Sequence, residues 1–522
     1  MKLKPEAIKS EESNLQSIIE NLKSAALEKD ELIAKLRHQL SVLRVARFGR
    51  KTEKYYEEQL GLFDEAELEV SEKETEVEEV TVIVKKKVKK TGRKPLPKSL
   101  PFIEKIIELT EQEQQCDCGC QLSEIGEERS EQLDVVPQLT YRTVTIRKKY
   151  ACKTCESNIK TAPVPVQPIP KGIATAGLLA SIITAKFNYH MPLYRQEDMY
   201  NRAGIKFSRS TLSEWVLKVA ELLFPLIKLL HAQILTYDIA FADETKLNVL
   251  KRKDGKKSQS YMWLFAGGSP EKRSFVYQYE PGRTQDTAFH FFEDFHGYLH
   301  ADCYCAYVNL DKSVHITHAA CIAHARRYFM DIVKSSNKKS SLAVKAIRYF
   351  KALYDIEKDL KEMDANTEVI YQKRQTTSQA ILKEFKEWLD TTYIKVPPKS
   401  ALGRAFAYSI NHWKSLTRYI EDGRLEIDNN RSERAIKPFV IGRKNWLFND
   451  NEKGARAGAT IFSLIETCKA HNVDVFSYFK FALSEIKHCS TLEELETLLP
   501  FNCKDSDLKK QRELPKLTYP SL

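Results

Sequence analysis

The sequence has no run of about 18 consecutive apolar residues, the length that a membrane-spanning helix needs. Its first residues, MKLKPEAIKSEESN, include no apolar segment of the kind found in secretory signals. Its 11 cysteines form an odd number in a long chain, which argues against a secreted disulfide scaffold. These absences argue against helical membrane insertion and secretion, and they favour a protein of the reducing cytoplasm.

The composition instead offers a large core and an excess of positive charge. The chain has 522 residues, of which 42% are hydrophobic, so several domains are expected. It contains 82 Lys and Arg against 71 Asp and Glu, which gives a formal net charge of +11. A modest excess of basic residues that is concentrated locally is typical of proteins that bind nucleic acids.

Residues 1–56 carry a heptad repeat that predicts one long helix. A second apolar seam of Ile18, Ala25 and Leu32 accompanies the first. The first seam consists of Leu15, Leu22, Lys29, Leu36 and Leu43, with the lysine as an interruption. Such a helix either pairs with another copy as a short coiled coil, giving a homodimer or higher oligomer, or packs on its own domain.

Residues 57–100 form a charged segment that divides into an acidic and a basic block. Eleven acidic residues and one lysine lie between Glu57 and Val80, and eight basic residues lie between Lys85 and Lys98. Blocks of this kind are usually solvated linkers. The alternative is that the basic segment around Arg93 and Lys94 enters the minor groove of A·T-rich DNA.

Five cysteines fall in two short clusters within residues 101–162, which we predict to be a small zinc-binding β module. Pairs of thiolates two or three residues apart can hold each side of a tetrahedral zinc ion. The favoured ligands are Cys116, Cys118, Cys152 and Cys155, with Cys120 as a replacement for Cys116. Four thiolates leave no open position, so this zinc would be structural. The alternative is that these are reduced cysteines of a protein core.

Residues 171–235 predict helices, and from residue 236 the pattern changes to strands. The clearest helix lies in SRSTLSEWVLKVAELLFPLIKLLHAQIL, with Ser210 or Thr211 as its predicted cap. The segments IAFADETKLNVL, YMWLFAGG and RSFVYQYE predict a three-stranded antiparallel meander.

The remaining sequence predicts more strands, an insertion and a tail. A helix over Gln285–Phe295 precedes a strand that ends at Asp302, and a fifth strand and a helix follow. Polar helical sequence from about 335 to 401 predicts an insertion within a core of residues 236–465. Residues 466–522 predict a helical tail.

Three acidic residues in this core are candidates for a metal site. Asp243 and Asp302 lie 59 residues apart on predicted strands, and Glu433 follows 131 residues later, early on a helix that opens at Asp428-Asn429-Asn430. Three converging carboxylates suit two Mg²⁺ or Mn²⁺ ions, which promote in-line phosphoryl displacement. The alternative for Glu433 is a salt bridge with its flanking arginines.

Several motifs show that the sequence resembles the transposases of the insertion-sequence sixty-six family, TnpC type. The resemblance covers nearly the whole chain. Its most specific motifs are CIAHARRYF and IDNNRSERAIKPFVIGRKNWLF. The other motifs are LRVARFGRKTEKY, GRKPLPKSLP, KYACKTC, FADET, HADCYCAY, VFSYFKFALSEI and LEELETLLP. The first cysteine cluster departs from the regular C-x-x-C of the family, which leaves the exact zinc ligands open.

The resemblance implies a multidomain α/β protein with a ribonuclease-H-like catalytic core. It implies that Asp243, Asp302 and Glu433 are the metal-binding, catalytic carboxylates of an Asp-Asp-Glu DNA transposase. The core would carry the helical insertion, and the N-terminal helix and zinc-binding β module would precede it. Accessory proteins of the same mobile element are also implied.

Five basic or aromatic residues of the core are candidate DNA contacts. Cationic side chains suit phosphates, and an aromatic ring can stack on an unstacked base. The candidates are Arg326, Arg327, Arg443, Lys444 and Trp446. For Trp446 the alternative is burial in the core, and for His324 a packed helix residue and a DNA contact stay open. Cys321 and His324 are two metal ligands three residues apart, too few for a site of their own.

These observations predict a DNA transposase that binds the terminal repeats of its element and then cleaves and joins DNA strands. Cleavage by water would free a 3′-hydroxyl, and that hydroxyl would attack target DNA at the same metal site. One alternative is a structure-selective nuclease that cuts without joining. The other is a zinc-dependent DNA-binding regulator whose acids are structural.

Overall fold

The computed structural model describes residues 140–150, 160–161, 163–252, 255, 259–312, 315–335 and 341–513. The predicted N-terminal helix and the charged linker with Arg93 and Lys94 lie outside the described residues. The five candidate zinc ligands, from Cys116 to Cys155, also lie outside them. Within the described part of the chain, none of the helices combines the length and apolar character needed to cross a membrane.

The described residues from 140 to 165 belong to a different compact unit from the described residues between 166 and 513. In the first unit, β1 (Lys149–Tyr150) pairs with β2 (Lys160–Thr161) in antiparallel orientation. The two strands flank Cys152 and Cys155 in the sequence. An antiparallel pair on either side of a C-x-x-C motif fits the predicted β module.

In the described part of the second unit, three helices precede the sheet. They are α1 (Ala176–Ile183), α2 (Leu193–Arg202) and α3 (Arg209–Leu235). A π-helical segment, Thr184–Asn188, continues α1. The predicted cap of α3 is wrong, because the hydroxyl of Ser208 accepts the N–H of Thr211 at 3.2 Å and begins the helix earlier.

A five-stranded mixed sheet forms the centre of this unit, with the order β6-β5-β3-β7-β8. Its strands are β3 (Ile239–Leu247), β5 (Ser260–Gly267), β6 (Ser274–Glu280), β7 (Gly297–Ala301) and β8 (Ile316–Ala320). The antiparallel pairing of β3 with β5 and of β5 with β6 confirms the predicted meander. β7 is parallel to both β3 and β8, so three neighbouring strands end at the same edge.

Short elements connect these strands. α4 (Gln285–Phe291) is shorter than the predicted Gln285–Phe295 helix, and α5 (Cys305–Leu310) joins β7 to β8. β4 (Val249–Lys251) pairs in parallel with β9 (Asn449–Asn451) as a separate two-stranded ribbon. After β8, helix α6 (Ile322–Ser335) begins directly at the sheet edge.

The predicted helical insertion is present, but it continues beyond residue 401. Its helices are α7 (Leu342–Glu362), α8 (Thr367–Lys373), α9 (Gln379–Tyr393), α10 (Ala401–Asn411) and α11 (Trp413–Thr417), with a π-helical segment at Arg374–Ser378 and a 3-10 turn at Arg418–Ile420. The predicted end is wrong because Ala405 and Phe406 of α10 are buried in the same core as Phe385 and Leu389 of α9.

Two long helices return to the sheet. α12 (Asn430–Trp446) packs on β3, and α13 (Glu452–Ala470) packs on β6 and α3. The hydroxyls of Ser463 and Thr467 accept the N–H groups of Tyr277 and Phe275 at 2.8 and 3.2 Å. These bonds satisfy an edge strand that would otherwise expose unpaired donors.

The C-terminal region consists of α14 (Val475–Glu485), α15 (Leu492–Glu496) and α16 (Asp505–Lys510). α15 begins with a capping box between Thr491 and Glu494. The boundary predicted at residues 465 and 466 falls inside α13, whose buried face continues through Cys468.

Candidate active site

Asp243 lies in the middle of the sheet, on the central strand β3. It pairs in register with Leu264 of β5, and the four residues before it, Ile239–Ala242, are all buried. Its Oδ1 atom accepts the N–H of Glu244 at 2.8 Å. This carboxyl group is therefore held at the border of the apolar core.

Asp302 follows directly after β7, the parallel neighbour of β3. The register pairs Ile239 with Tyr298 and Phe241 with His300, so each residue lies beside the one 59 positions later. The paired residues end at Phe241 and His300, and the same offset continued by two residues sets Asp302 opposite Asp243; the charge of Asp302 does raise the pKa of Asp243. The spacing of the two aspartates in the sequence thus equals the register of the two strands.

Glu433 is brought to the same edge by the first turn of α12. Asn429 fixes this turn, because its Nδ2 donates to the carbonyl of Ala242 at 2.8 Å and its N–H donates to Sγ of Cys321 at 3.1 Å. Further along the helix, the hydroxyl of Tyr277 donates to the carbonyl of Ala435. The bond to Ala242 ties the start of α12 to the strand that carries Asp243, and the other two tie α12 to the start of α6 and to β6.

The charges of these acids act on one another. Burial raises the pKa of Asp243 well above its usual value, and the nearby carboxylates of Glu244, Glu433 and Asp302 raise it further. Glu433 Oε1 is buried and has no hydrogen-bond partner within the described residues. Uncompensated carboxylates at a core border are costly unless a cation binds them. The carboxylate oxygens fit hard divalent cations such as Mg²⁺.

The neighbouring acid Glu244 is neutralised within the chain, which sequence reasoning did not predict. Its carboxylate is paired with Arg283 and accepts the hydroxyl of Tyr307 at 2.6 Å. Arg283 Nη2 also lies 3.9 Å from Asp302 Oδ2, and its guanidinium lies 3.6 Å from the centre of the Tyr304 ring. The only signal in the sequence is the acidic pair in FADET, and no spacing rule connects that pair to Arg283.

The carboxylate of Glu433 faces helix α6. His324 Nδ1 lies 3.8 Å from Glu433 Oε1, and Arg327 Nη2 lies 3.7 Å from Glu433 Oε2. Burial, together with the charge of Arg327, lowers the pKa of His324, so its ring is neutral at pH 7. His324 thus packs in the site itself, and the prediction of a DNA contact for it is untested.

The structure separates the candidate DNA contacts. Arg326 is only 1% exposed, so its predicted phosphate contact is wrong: α6 turns this guanidinium into the core, near the Tyr354 ring. Arg327 and Lys444 are exposed, and Arg443 is half-buried and donates to Thr245 Oγ1 at 3.3 Å. Contacts of these three residues with DNA stay predictions.

Trp446 lies in an aromatic cluster. Its ring is 6.0 Å from the rings of Phe439 and Phe462 and 6.5 Å from that of Phe187, measured between centroids. These contacts agree with the alternative given above, in which Trp446 is buried in the protein core. Stacking of Trp446 on a base stays a prediction without support from its surroundings.

Comparison with known protein families gives matches along most of the chain. Residues 171–457 match the model described as the transposase IS66 family, and residues 463–501 match the IS66 C-terminal element. Residues 113–156 match the zinc-finger binding domain of transposase IS66, which supports structural zinc at the predicted cysteine module. Residues 35–104 match the model described as transposase C of IS166 homeodomain.

Two proteins of Sinorhizobium fredii (strain NBRC 101917 / NGR234) are similar over most of their length. The uncharacterized protein y4qI is 33% identical over 506 residues, which cover 93% of this chain and 92% of that protein. The uncharacterized protein y4jD is 34% identical over 423 residues, covering 78% of this chain and 81% of that protein. With the family match across the sheet and its acids, these relationships show that the chain belongs to the IS66 family of transposases.

Proposed function

We propose that this transposase cleaves DNA at the ends of its element and joins those ends to target DNA, in a Mg²⁺-dependent reaction at Asp243, Asp302 and Glu433. The observation that carries the proposal is the convergence of these acids at one sheet edge. Two findings support it: the register of β3 and β7 has the same 59-residue offset that separates Asp243 from Asp302, and burial together with nearby carboxylates, that of Glu433 among them, raises the pKa of Asp243. Metal-dependent DNA chemistry requires such a cluster of hard oxygen ligands.

The sheet supports a ribonuclease-H-like core. Three antiparallel strands followed by two parallel ones, in the order β6-β5-β3-β7-β8, agree with the core that the family resemblance implies. In this arrangement the first acid lies on the central strand and the second ends its parallel neighbour. The third acid arrives on a helix after the insertion.

The chain's own residues would hold and orient the reacting groups. When bound, two divalent ions would activate the attacking oxygen and stabilise the leaving oxygen. Asp243 and Asp302 would supply oxygen ligands from fixed strands, and Glu433 would supply one from α12. Arg327 and Lys444, both exposed, would contact DNA phosphates near this edge.

Both chemical steps are direct displacements at phosphorus. In the first, a water oxygen attacks the phosphodiester at the element's end, and the bond to the 3′-oxygen breaks to give a 3′-hydroxyl. In the second, that 3′-oxygen attacks a target phosphodiester, and a target 3′-oxygen leaves. Neither step needs a covalent bond between protein and DNA.

The test is a cleavage and joining assay on DNA that contains the element's own ends. We expect Asp243→Asn, Asp302→Asn and Glu433→Gln each to lose Mg²⁺-dependent cleavage by at least about 10³-fold while retaining end binding. Glu421→Gln is a matched control, because Glu421 lies near the opposite edge of β7 and accepts the hydroxyl of Tyr298 at 3.2 Å. Retained cleavage in any of the three variants would contradict the assignment.

The same assay separates the alternative functions. A nuclease would cut the ends but give no joined product from a pre-cut end that carries a 3′-hydroxyl. A zinc-dependent DNA-binding regulator would bind the ends without any metal-dependent nicking. Assembly through the N-terminal helix and help from accessory proteins are further predictions, which size measurements and reconstitution would test.

A further inference from the structure

A second group of metal-ligating side chains lies beside the acid cluster and shares one member with it. The sulfur of Cys321, a ring nitrogen of His324 and a carboxylate oxygen of Glu433 all lie within 4.8 Å of one another. Cys321 and His324 are three residues apart at the start of α6, and Glu433 approaches from α12. The sequence showed only the first two ligands.

Two features of the group point to an absent cation. The Nδ1 atom of His324 and the Oε1 atom of Glu433 are both buried, and neither has a hydrogen-bond partner within the described residues. These two atoms face each other at 3.8 Å. In a tetrahedral zinc site the ligand atoms lie roughly 3.3–3.8 Å apart, so this pair already has a suitable separation.

One backbone donor faces the sulfur of Cys321, although burial and the charges of Asp428 and Glu433 raise the pKa of the free thiol, so a thiolate here needs the charge of a bound metal. The side chain of Cys321 is fully buried, and its sulfur accepts the N–H of Asn429 at 3.1 Å. The N–H of His324 donates to the carbonyl oxygen of Cys321 at 3.3 Å, which fixes the turn that carries both side chains. A backbone donor aimed at a sulfur stabilises negative charge on it, as a metal-bound thiolate requires.

The chemistry of the three ligands selects a different cation from the one that suits the aspartates. Thiolate and imidazole favour Zn²⁺ and similar soft ions, whereas Mg²⁺ prefers carboxylate and water oxygens. Three protein ligands also leave one coordination position open, unlike the closed four-thiolate site predicted for the zinc module.

We propose that Cys321, His324 and Glu433 form a binding site for Zn²⁺ that is distinct from the structural zinc of the cysteine module. Because Glu433 belongs to both groups, zinc bound here competes with the Mg²⁺-dependent reaction for that carboxylate. The binding site stands on its own geometry, and the competition rests on the proposed function.

The direct test measures zinc content without DNA. Full-length protein is dialysed against Zn²⁺, and bound metal is counted by mass spectrometry. We expect Cys321→Ser and His324→Gln each to hold about one equivalent of zinc per chain less than the unmodified protein. In Cys321→Ser the hydroxyl can still accept the Asn429 N–H, and circular dichroism would verify the fold. If Cys321→Ser misfolds, His324→Gln decides, because its side chain is partly exposed.

The matched control is Cys468→Ser, which removes another fully buried cysteine that lies outside the group. It should hold as much zinc as the unmodified protein. With Co²⁺ as a probe, the sulfur-to-cobalt absorption band should weaken in Cys321→Ser and not in Cys468→Ser. Equal zinc content and equal cobalt spectra in the unmodified protein and Cys321→Ser would overturn the proposal.

Two further variants separate this proposal from the proposed function. Asp243→Asn should lose cleavage and keep its zinc, whereas Glu433→Gln should lose both. In cleavage assays with Mg²⁺, the zinc concentration that halves the rate should be at least about tenfold higher for His324→Gln than for the unmodified protein. If zinc binds but the inhibitory zinc concentration is the same for both proteins, zinc does not compete with Mg²⁺, and only the proposed binding site stands.

Discussion

The helical insertion and the acidic edge of the sheet both bury charge, but the insertion pairs its buried Arg374 within the chain, whereas Asp243 at the edge is surrounded by other acids. In the insertion, Arg374 is 2% exposed and donates twice to Glu357, at 2.8 and 2.6 Å. It also donates to the carbonyls of Tyr419 and Asp422, at 2.8 and 3.0 Å. At the sheet edge, the charged neighbours of Asp243 that act on its pKa are three other acids.

This difference separates charged residues that stabilise the fold from charged residues that are available to bind a ligand. The guanidinium of Arg374 connects α7 to the turn before α12 through bonds that are complete within the chain. Asp243 and Glu433 have incomplete surroundings, and a cation from outside would complete them. Glu244, next to Asp243, belongs to the first class because Arg283 and Tyr307 satisfy it.

The largest expected effect is on the insertion. Arg374→Met removes all four donated bonds and leaves Glu357 without its cation, so we expect the free energy of unfolding to fall by about 3–5 kcal/mol. Urea denaturation followed by circular dichroism would measure this change. The control is Lys386→Met, which breaks a more exposed pair with Asp390 and should change stability by less than about 0.5 kcal/mol. Equal effects of the two variants would abolish the distinction.

The second prediction concerns a cation added to the acidic edge. Mg²⁺ or Ca²⁺ at ten to a hundred times its dissociation constant should raise the free energy of unfolding by about 1.4–2.7 kcal/mol, through binding to the folded state alone. Asp243→Asn should lose most of this stabilisation, and Arg374→Met should keep it. Thermal unfolding with and without the cation measures both. A divalent ion that stabilises Asp243→Asn as much as the unmodified protein would place its site elsewhere.

The third prediction compares two adjacent acids in the absence of divalent ions. Glu244→Gln weakens bonds to Arg283 and Tyr307 and should lower the free energy of unfolding by about 1–2 kcal/mol, allowing for the partial exposure of Arg283. Asp243→Asn removes a charge from a group of like charges and should not lower it. Denaturation in a chelating buffer measures both variants. A larger loss of unfolding free energy in Asp243→Asn than in Glu244→Gln would mean that Asp243 stabilises the fold and that Glu244 does not.

The acids were predictable because sequence spacing and strand register are linked. Alternation and turn signals located β3, β5 and β6, and the apolar run before Asp243 placed that residue at a core border. Asp302 could be placed because its strand ends just before it. Glu433 could be placed because the Asp428-Asn429-Asn430 turn opens its helix. The side chain of Asn429 does not cap that helix, however, and its Nδ2 donates to the carbonyl of Ala242.

The remaining features depend on contacts that no local pattern encodes. Arg326 and Arg327 are consecutive in the sequence, and only the rotation of α6 decides that the first is buried and the second exposed. Arg283 reaches Glu244 across the sheet from a loop. The group of Cys321 and His324 gains Glu433 as its third ligand only when α12 packs beside α6.

The smallest expected effect concerns Lys186, a basic residue in apolar surroundings, as Asp243 is an acidic one. Lys186 Nζ lies 5.1 and 5.3 Å from the ring centres of Phe187 and Trp446, and among the described residues no carboxylate forms an ion pair with it. Burial lowers its pKa from 10.5 to about 8. Between these values the unfolded chain holds a proton that the folded protein does not, so the stability contribution of Lys186 rises with pH across this range. Below about pH 8 both states are protonated and the contribution is constant.

Lys186→Met should therefore remove a pH-dependent increase in the free energy of unfolding. Between pH 8 and pH 10.5 the stability of the unmodified protein should rise relative to that of Lys186→Met, by less than about 1 kcal/mol because Lys186 as a whole is only half-buried. Lys228→Met is the control, since Lys228 is exposed and lies 5.9 Å from the Phe224 ring. A stability difference that stays flat over this range, or that matches the control, would mean that Lys186 keeps its proton and that the aromatic rings compensate its charge.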